Sequence, residues 1–122
     1  IRSIDRQFGL ACEFRWRGDL EKVDSRIAME LYRIAQEALH NCARHAKAGQ
    51  VGLLLTSDGD KITLEVTDDG CGPPHAAGSA EGLGLSIMAH RARSVGGTLK
   101  IEGAEGGGTV VCCTVPSSSP TA

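Results

Sequence analysis

Apolar and polar residues recur along this chain with two different periods, and the periods divide it into elements. From about Ser25 to Ala46, Ile27, Leu31, Ile34, Ala38 and Cys42 recur at helical spacing, with Leu39 widening the stripe. Asp24 or Ser25 supplies a side-chain oxygen to cap the start of that helix. "LACEFRW" (10–16) alternates with period two and reads as a strand. "QVGLLLT" (50–56) and "KITLEVTD" (61–68) read as two more, joined by the hairpin turn "SDGD". A second helix is expected from about Leu83 to Val95, stopped by Gly96 and Gly97. "TLKIEG" and "TVVCCTVP" are two further strands around the turn "AEGGG". At the start, Ile1, Ile4 and Phe8 fall on one side of a helix, so residues 1–8 are expected to form the last turns of one. The order β-α-β-β-loop-α-β-β predicts an α+β fold, a two-layer sandwich in which helices cover one face of a mixed, mostly antiparallel sheet.

Composition narrows the picture. A chain of 122 residues suits one domain with a real core, here residues 1–116, followed by a polar tail at 117–122 that is expected to be disordered. The net charge is −2 and the basic residues are dispersed, which excludes a nucleic-acid module built on a basic patch. No apolar run reaches membrane-spanning length, so a cytoplasmic domain without membrane contact is expected, although the parent protein can still be membrane-anchored. The chain does not open with Met and reads as a fragment of a longer protein. Cysteines 12, 42, 71, 112 and 113 form no CxxC pair and read as reduced thiols rather than a disulfide or zinc framework.

Four stretches carry candidate chemistry. In "QEALHNCARHA", Glu37 and Asn41 are four apart and share a helix face, with Arg44 and His45 one turn further along the same side. Carboxylate and amide oxygens suit Mg²⁺, and Arg with His suits phosphate. An Asn in mid-helix is a poor helix former, yet alone it is most simply a solvated position. "DDGCG" (68–72) places Asp68 and Asp69 ahead of Gly70 and Gly72, which by itself is a surface turn. Gly82, Leu83, Gly84 and Leu85 are expected to lead into the second helix, whose N–H groups and dipole favour an anion. The third glycine of a dinucleotide fingerprint and the "GKS" or "GKT" of a Walker loop are missing there. "EGGGT", with Gly106, Gly108 and Thr109, has the composition of a hairpin turn.

Taken in order, an E-x-x-x-N helix, a D-x-G-x-G turn, a G-x-G helix entry and a G-x-G-T turn resemble the GHKL ATPase superfamily and its Bergerat ATP-binding fold. "LYRIAQEALHNCARHAKA" and "GLGLSIMAHRARSVGGTLKIEGAEGGGTVVCCTVP" are similar to the catalytic domain of bacterial two-component sensor histidine kinases, in the subfamily paired with helix-turn-helix response regulators. The resemblance covers nearly the whole chain.

It implies ATP and Mg²⁺ as ligands. Asp68 then accepts a hydrogen bond from the adenine amino group, a contact that guanine, with an oxygen there, cannot make. Gly70 and Gly72 let the chain turn beside the base, and the Thr109 hydroxyl supports Asp68 and the adenine. Asn41 is the implied Mg²⁺ ligand, Glu37 the implied catalytic acid, and Arg44 and His45 lie near the phosphates. Gly82 to Leu85 border a lid, roughly residues 73–82, while Asp69 takes a structural turn role. Implied partners are the helical phosphoacceptor and dimerisation domain of the same protein and a response regulator. None of His40, His45, His75 and His90 is followed by an acid, so none fits the family's phosphoacceptor pattern. Two rival functions share these residues: a serine protein kinase of the anti-sigma-factor type, and a non-catalytic interaction domain.

Overall fold

The computed structural model describes residues 2–5, 10–19, 23–44, 50–69, 80–103 and 108–117, with side chains at 12–19, 23–41, 50–69, 85–103 and 108–117. Helix α1 spans Ser25–Arg44. The Asp24 side chain caps it, Oδ1 accepting the Arg26 N–H at 2.8 Å, while the Asp24 carbonyl accepts the Ala28 N–H at 2.9 Å. Its stripe of Ile27, Leu31, Ile34 and Ala38 is buried as the spacing predicts. Each large member contributes about 1.5–3 kcal/mol by leaving water.

Strands β3 (Gln50–Ser57) and β4 (Lys61–Asp68) form the expected antiparallel hairpin. Asp58 builds the turn, its Oδ1 accepting the Lys61 N–H at 2.8 Å and the Asp60 N–H at 3.1 Å, with Gly59 at φ +101°. Those two donors, Lys61 first, hold the Asp58 carboxyl below its ordinary value.

Helix α2 spans Ala80–Ser94 and ends in a Schellman motif. Gly97 N–H donates to the Ala92 carbonyl at 2.8 Å and Gly96 N–H to the Arg93 carbonyl at 3.0 Å, with Gly96 at φ +80°. A Cβ on Gly97 would sit 2.5 Å from the Thr114 carbonyl oxygen, so the helix stop is pressed against the sheet. The chain then continues through β5 (Thr98–Gly103) and β6 (Thr109–Pro116).

Six strands form one sheet in the order β1-β2-β3-β4-β6-β5. Among the described strands only β2 (Leu10–Arg17) and β3 run parallel, because α1 is the crossover between them. Both helices lie on one face, α1 against β4 and β6, and α2 against β5, β6 and α1. Alternation sets the two faces: Ile62, Leu64 and Val66 of β4 and Val111, Cys113 and Val115 of β6 are buried under the helices. Between them, Thr63 and Glu65 of β4 and Cys112 and Thr114 of β6 look outward and are only half-buried. Burial pushes the Cys112 thiol up, helped by the charge of Glu65, and pushes the Cys113 thiol up to about 12.

Three boundaries depart from the sequence reading. Arg2–Asp5 is a strand, β1, rather than helix, and pairs antiparallel with β2 from Arg2↔Glu13 to Asp5↔Leu10. A ladder with a neighbouring strand outweighs the weak helical spacing of three apolar residues. Second, α2 begins at Ala80, so Gly82 and Gly84 stand inside its first turns instead of ahead of it. Each glycine costs a helix about 1 kcal/mol, and burial of the face Leu85, Met88, Ala92 and Val95 offsets that cost. The expected lid at 73–82 therefore loses its last three residues to the helix, and 73–79 lie outside the described residues. Third, Ser117, expected to begin the tail, closes the sheet end: its hydroxyl donates to the Gly59 carbonyl at 2.7 Å and its N–H to the Asp60 carbonyl at 2.9 Å.

Candidate functional site

Connectivity brings the four sequence stretches to one end of the sandwich. Helix α1 runs into β3, so its last turn, with Asn41 and Arg44, lies at the end where β3 starts. The start of β3 pairs with the end of β4, Val51 opposite Asp68, and Asp68 in turn pairs with Thr109 at the start of β6. The far end of β6 pairs with the start of β5, Thr98 opposite Thr114. That far end also receives the C-terminus of α2, where Arg26 at the start of α1 donates to the Ser94 carbonyl at 3.4 Å. The N-terminus of α2 therefore points back toward Asp68.

Asp68 is the best-defined member. It is 8% exposed at the end of β4, although a carboxylate is seldom buried without a partner. Its Oδ1 accepts the main-chain N–H of Thr109 at 3.2 Å, and Thr109 is itself only 6% exposed. The support from Thr109 seen here comes from its main-chain N–H. Gly108 makes the approach possible: it sits at φ +87°, and a Cβ there would lie 2.0 Å from the Asp68 carbonyl oxygen. Gly108 is the second glycine of the G-x-G-T turn noted in the sequence, and its contact with Asp68 gives the reason for a glycine there.

Glu37 and Asn41 are half-buried one turn apart on α1, along the flank of the Ile27–Ala38 stripe, Asn41 standing three residues beyond Ala38. Arg44 is the last residue of α1. Among the described residues no group of three or more His, Cys, Asp or Glu side chains is placed to hold a metal. Leu85, expected beside the nucleotide, is half-buried and packs against the core. Gly82, Leu83 and Gly84 contribute helical backbone at the N-terminus of α2, where the first-turn N–H groups have no intrahelical carbonyl. His45, Gly70 and Gly72 lie outside the described residues.

Asp69 has a defined structural role, as its position in the turn suggested. Its Oδ1 accepts the Gln50 N–H at 3.0 Å and its own N–H donates to the Gln50 carbonyl at 3.3 Å. Two shallow hollows among the described residues are lined by neither Asp68 nor Asn41. One is on the open sheet face above Gly52, and the other is between the helices, beside the Arg91–Glu30 ion pair.

A buried carboxylate at a strand end and an acid and an amide on a neighbouring helix belong to an α+β domain of helices packed on one sheet face. The chain belongs to the family described as histidine kinase-, DNA gyrase B- and HSP90-like ATPase, which it matches over residues 27–119. Membership of this ATPase family implies ATP as its nucleotide. The chain is 33% identical to the nitrate/nitrite sensor protein NarX of Escherichia coli K12 over 108 residues, 88% of this chain and 18% of NarX. It is 38% identical to the sensor histidine kinase LiaS of Bacillus subtilis over 86 residues, 70% of this chain and 24% of LiaS. It thus spans about a fifth of the length of these relatives. The ATP-binding domain of PrrB from Mycobacterium tuberculosis superimposes with a TM-score of 0.63 at 26% identity, covering 75% of this chain and 69% of that one. The histidine kinase domain of the Erythrobacter litoralis EL346 blue-light activated kinase shares the fold, with a TM-score of 0.63 at 23% identity over 87% of this chain and 52% of that one. No helix among the described residues is long and apolar enough to cross a membrane.

Proposed function

We propose that this chain is the catalytic domain of a cytoplasmic sensor histidine kinase module, binding Mg–ATP and passing the γ-phosphoryl group to a histidine on a separate helical dimerisation domain. A response regulator then takes the signal onward. On this reading residues 1–116 form the ATP-binding domain. The observation that carries it is the buried Asp68 carboxylate, held by Thr109 at the end of the sandwich where α1 finishes and α2 begins.

The residues present fit the nucleotide. A carboxylate accepts several hydrogen bonds at once, so Asp68 can take the Thr109 N–H and the adenine amino group together. Its burial strengthens that readout, because few waters compete there. Asn41 offers one amide oxygen, which suits Mg²⁺, a cation that takes most of its remaining ligands from phosphates and water rather than from a cage of acids. When bound, that ion offsets charge on the phosphates. Glu37, one turn before Asn41, is placed to polarise the acceptor histidine or to hold metal-bound water. Arg44, His45 and the α2 N-terminus supply positive charge and N–H groups for the phosphates. The chain's contribution to transfer is positioning and electrostatics.

Titration calorimetry with Mg–ATP tests the binding, and radiolabelled transfer to the helical domain of the parent protein tests the chemistry. The expected product is acid-labile phosphohistidine on that domain, with little label on this chain alone. Acid-stable phosphoserine on a partner, or absence of nucleotide binding, overturns the reading.

A further inference from the structure

We propose that Asp69 is a positioning residue that holds the adenine end of the site at a fixed spacing from the metal and phosphate end. The inference rests on the nucleotide reading above and deepens it. The β3–β4 ladder finishes at the Val51–Asp68 pair. One residue further, where β4 has ended, Asp69 adds a rung with its side chain: Oδ1 receives the Gln50 N–H at 3.0 Å while the Asp69 N–H reaches the Gln50 carbonyl at 3.3 Å. The carboxylate stands in for the carbonyl that another strand residue would have offered. A bond from an N–H to an ionised oxygen is also about twice as strong as a neutral one.

The place of this rung gives it a consequence. Asp69 directly follows Asp68, and Gln50 is the first residue of β3, where the chain returns from the end of α1 that carries Asn41 and Arg44. Apart from core packing, the rung ties the segment leaving the adenine carboxylate to the segment arriving from the metal-binding helix. Without the Oδ1 bond Asp69 can shift along β3. A ligand that touches only the Asp68 end tolerates such a shift. A ligand that spans both ends does not, because one set of its contacts must be released to make the other.

Calorimetry on the whole chain, comparing Mg–ATP with adenosine, separates this role from a general structural one. Asp69→Ala is expected to weaken Mg–ATP about tenfold while changing adenosine by no more than about twofold. Asp69→Asn keeps an acceptor oxygen at the same place and is expected to restore Mg–ATP to within about threefold of the parent. Should Asp69→Ala fail to fold by circular dichroism, Asp69→Ser, whose oxygen stops one atom short, serves in its place and is expected to show the same selective loss. Equal losses for adenosine and Mg–ATP, or no loss for either, overturn the inference while leaving the nucleotide site intact. A parent chain that binds neither compound overturns both.

Discussion

The main-chain N–H of Thr109 donates to Oδ1 of Asp68 over 3.2 Å, across a strand pair in which both residues are almost wholly buried. This bond joins β4 to β6 at the candidate adenine end. It also engages Oδ1 of the carboxylate, and the first expectation starts from that.

Asp68→Asn can still accept the Thr109 N–H through its amide oxygen, which turns its NH₂ group toward the base. A donor then faces the adenine amino group, itself a donor, whereas a guanine oxygen would be welcome. The variant should fold, lose about tenfold or more in ATP affinity, and narrow the preference for ATP over GTP. Calorimetry with both nucleotides checks this; an unchanged ratio would show that Asp68 does not read the base.

Gly108 and Gly52 should respond oppositely to alanine. At Gly108 the φ of +87° and the 2.0 Å approach to the Asp68 carbonyl oxygen both forbid a Cβ, so Gly108→Ala should cost about 2 kcal/mol or more. A Cβ at Gly52 meets nothing within 4 Å, so Gly52→Ala should be neutral or stabilising by about 0.5 kcal/mol. Thermal or urea unfolding of the two variants measures the contrast.

Removing the amide at Asn41 should act on the metal rather than on the base. Asn41→Ala is expected to bind ATP nearly alike with Mg²⁺ and with EDTA, while the parent binds better with Mg²⁺. Asn41 is half-buried on the last turns of α1, so the fold should survive. A variant that keeps the full Mg²⁺ advantage would remove Asn41 from the metal site.

Cys113 predicts a pH dependence. Burial pushes its thiol up to about 12 from an ordinary value of 9.0, with Cys112 adding to the shift, so the folded chain keeps a proton that the unfolded chain releases. The sign follows directly: this contribution is whole below pH 9 and is lost as pH rises toward 12. The stability of the parent should fall more steeply between pH 9 and 11 than that of Cys113→Ala, whatever the offset from the lost side chain. Parallel curves would contradict the burial argument.

Much of this fold was legible because its signals are local. The α1 stripe, the Asp58-Gly59 turn and the Gly96-Gly97 stop each depend on residues within a few positions of one another, and each formed where expected. Legibility failed at β1, where Ile1, Ile4 and Phe8 mimic a helix while the ladder that decides the matter lies on β2. It failed again at the start of α2, because Gly82 and Gly84 resemble a loop until the buried Leu85–Val95 face is known. In the site, Glu37, Asn41 and Asp68 were visible as residue types in order, and family resemblance joined them. The approach of Gly108 to Asp68 and the Gln50–Asp69 rung were not, because their importance lies entirely in what they touch.

By itself the amino-acid order determined the identity of every element but β1 and the chemical types available at the site, since helical and strand periodicity, turn chemistry and capping are short-range properties. Tertiary structure alone decided that β4 lies beside β6 rather than β5, and so that the Asp68 carboxylate meets the Thr109 N–H across 41 positions of chain. The reason is physical: strand neighbours are chosen by joint burial of Ile62, Leu64 and Val66 with Val111, Cys113 and Val115 beneath two helices, and no local stretch contains that sum.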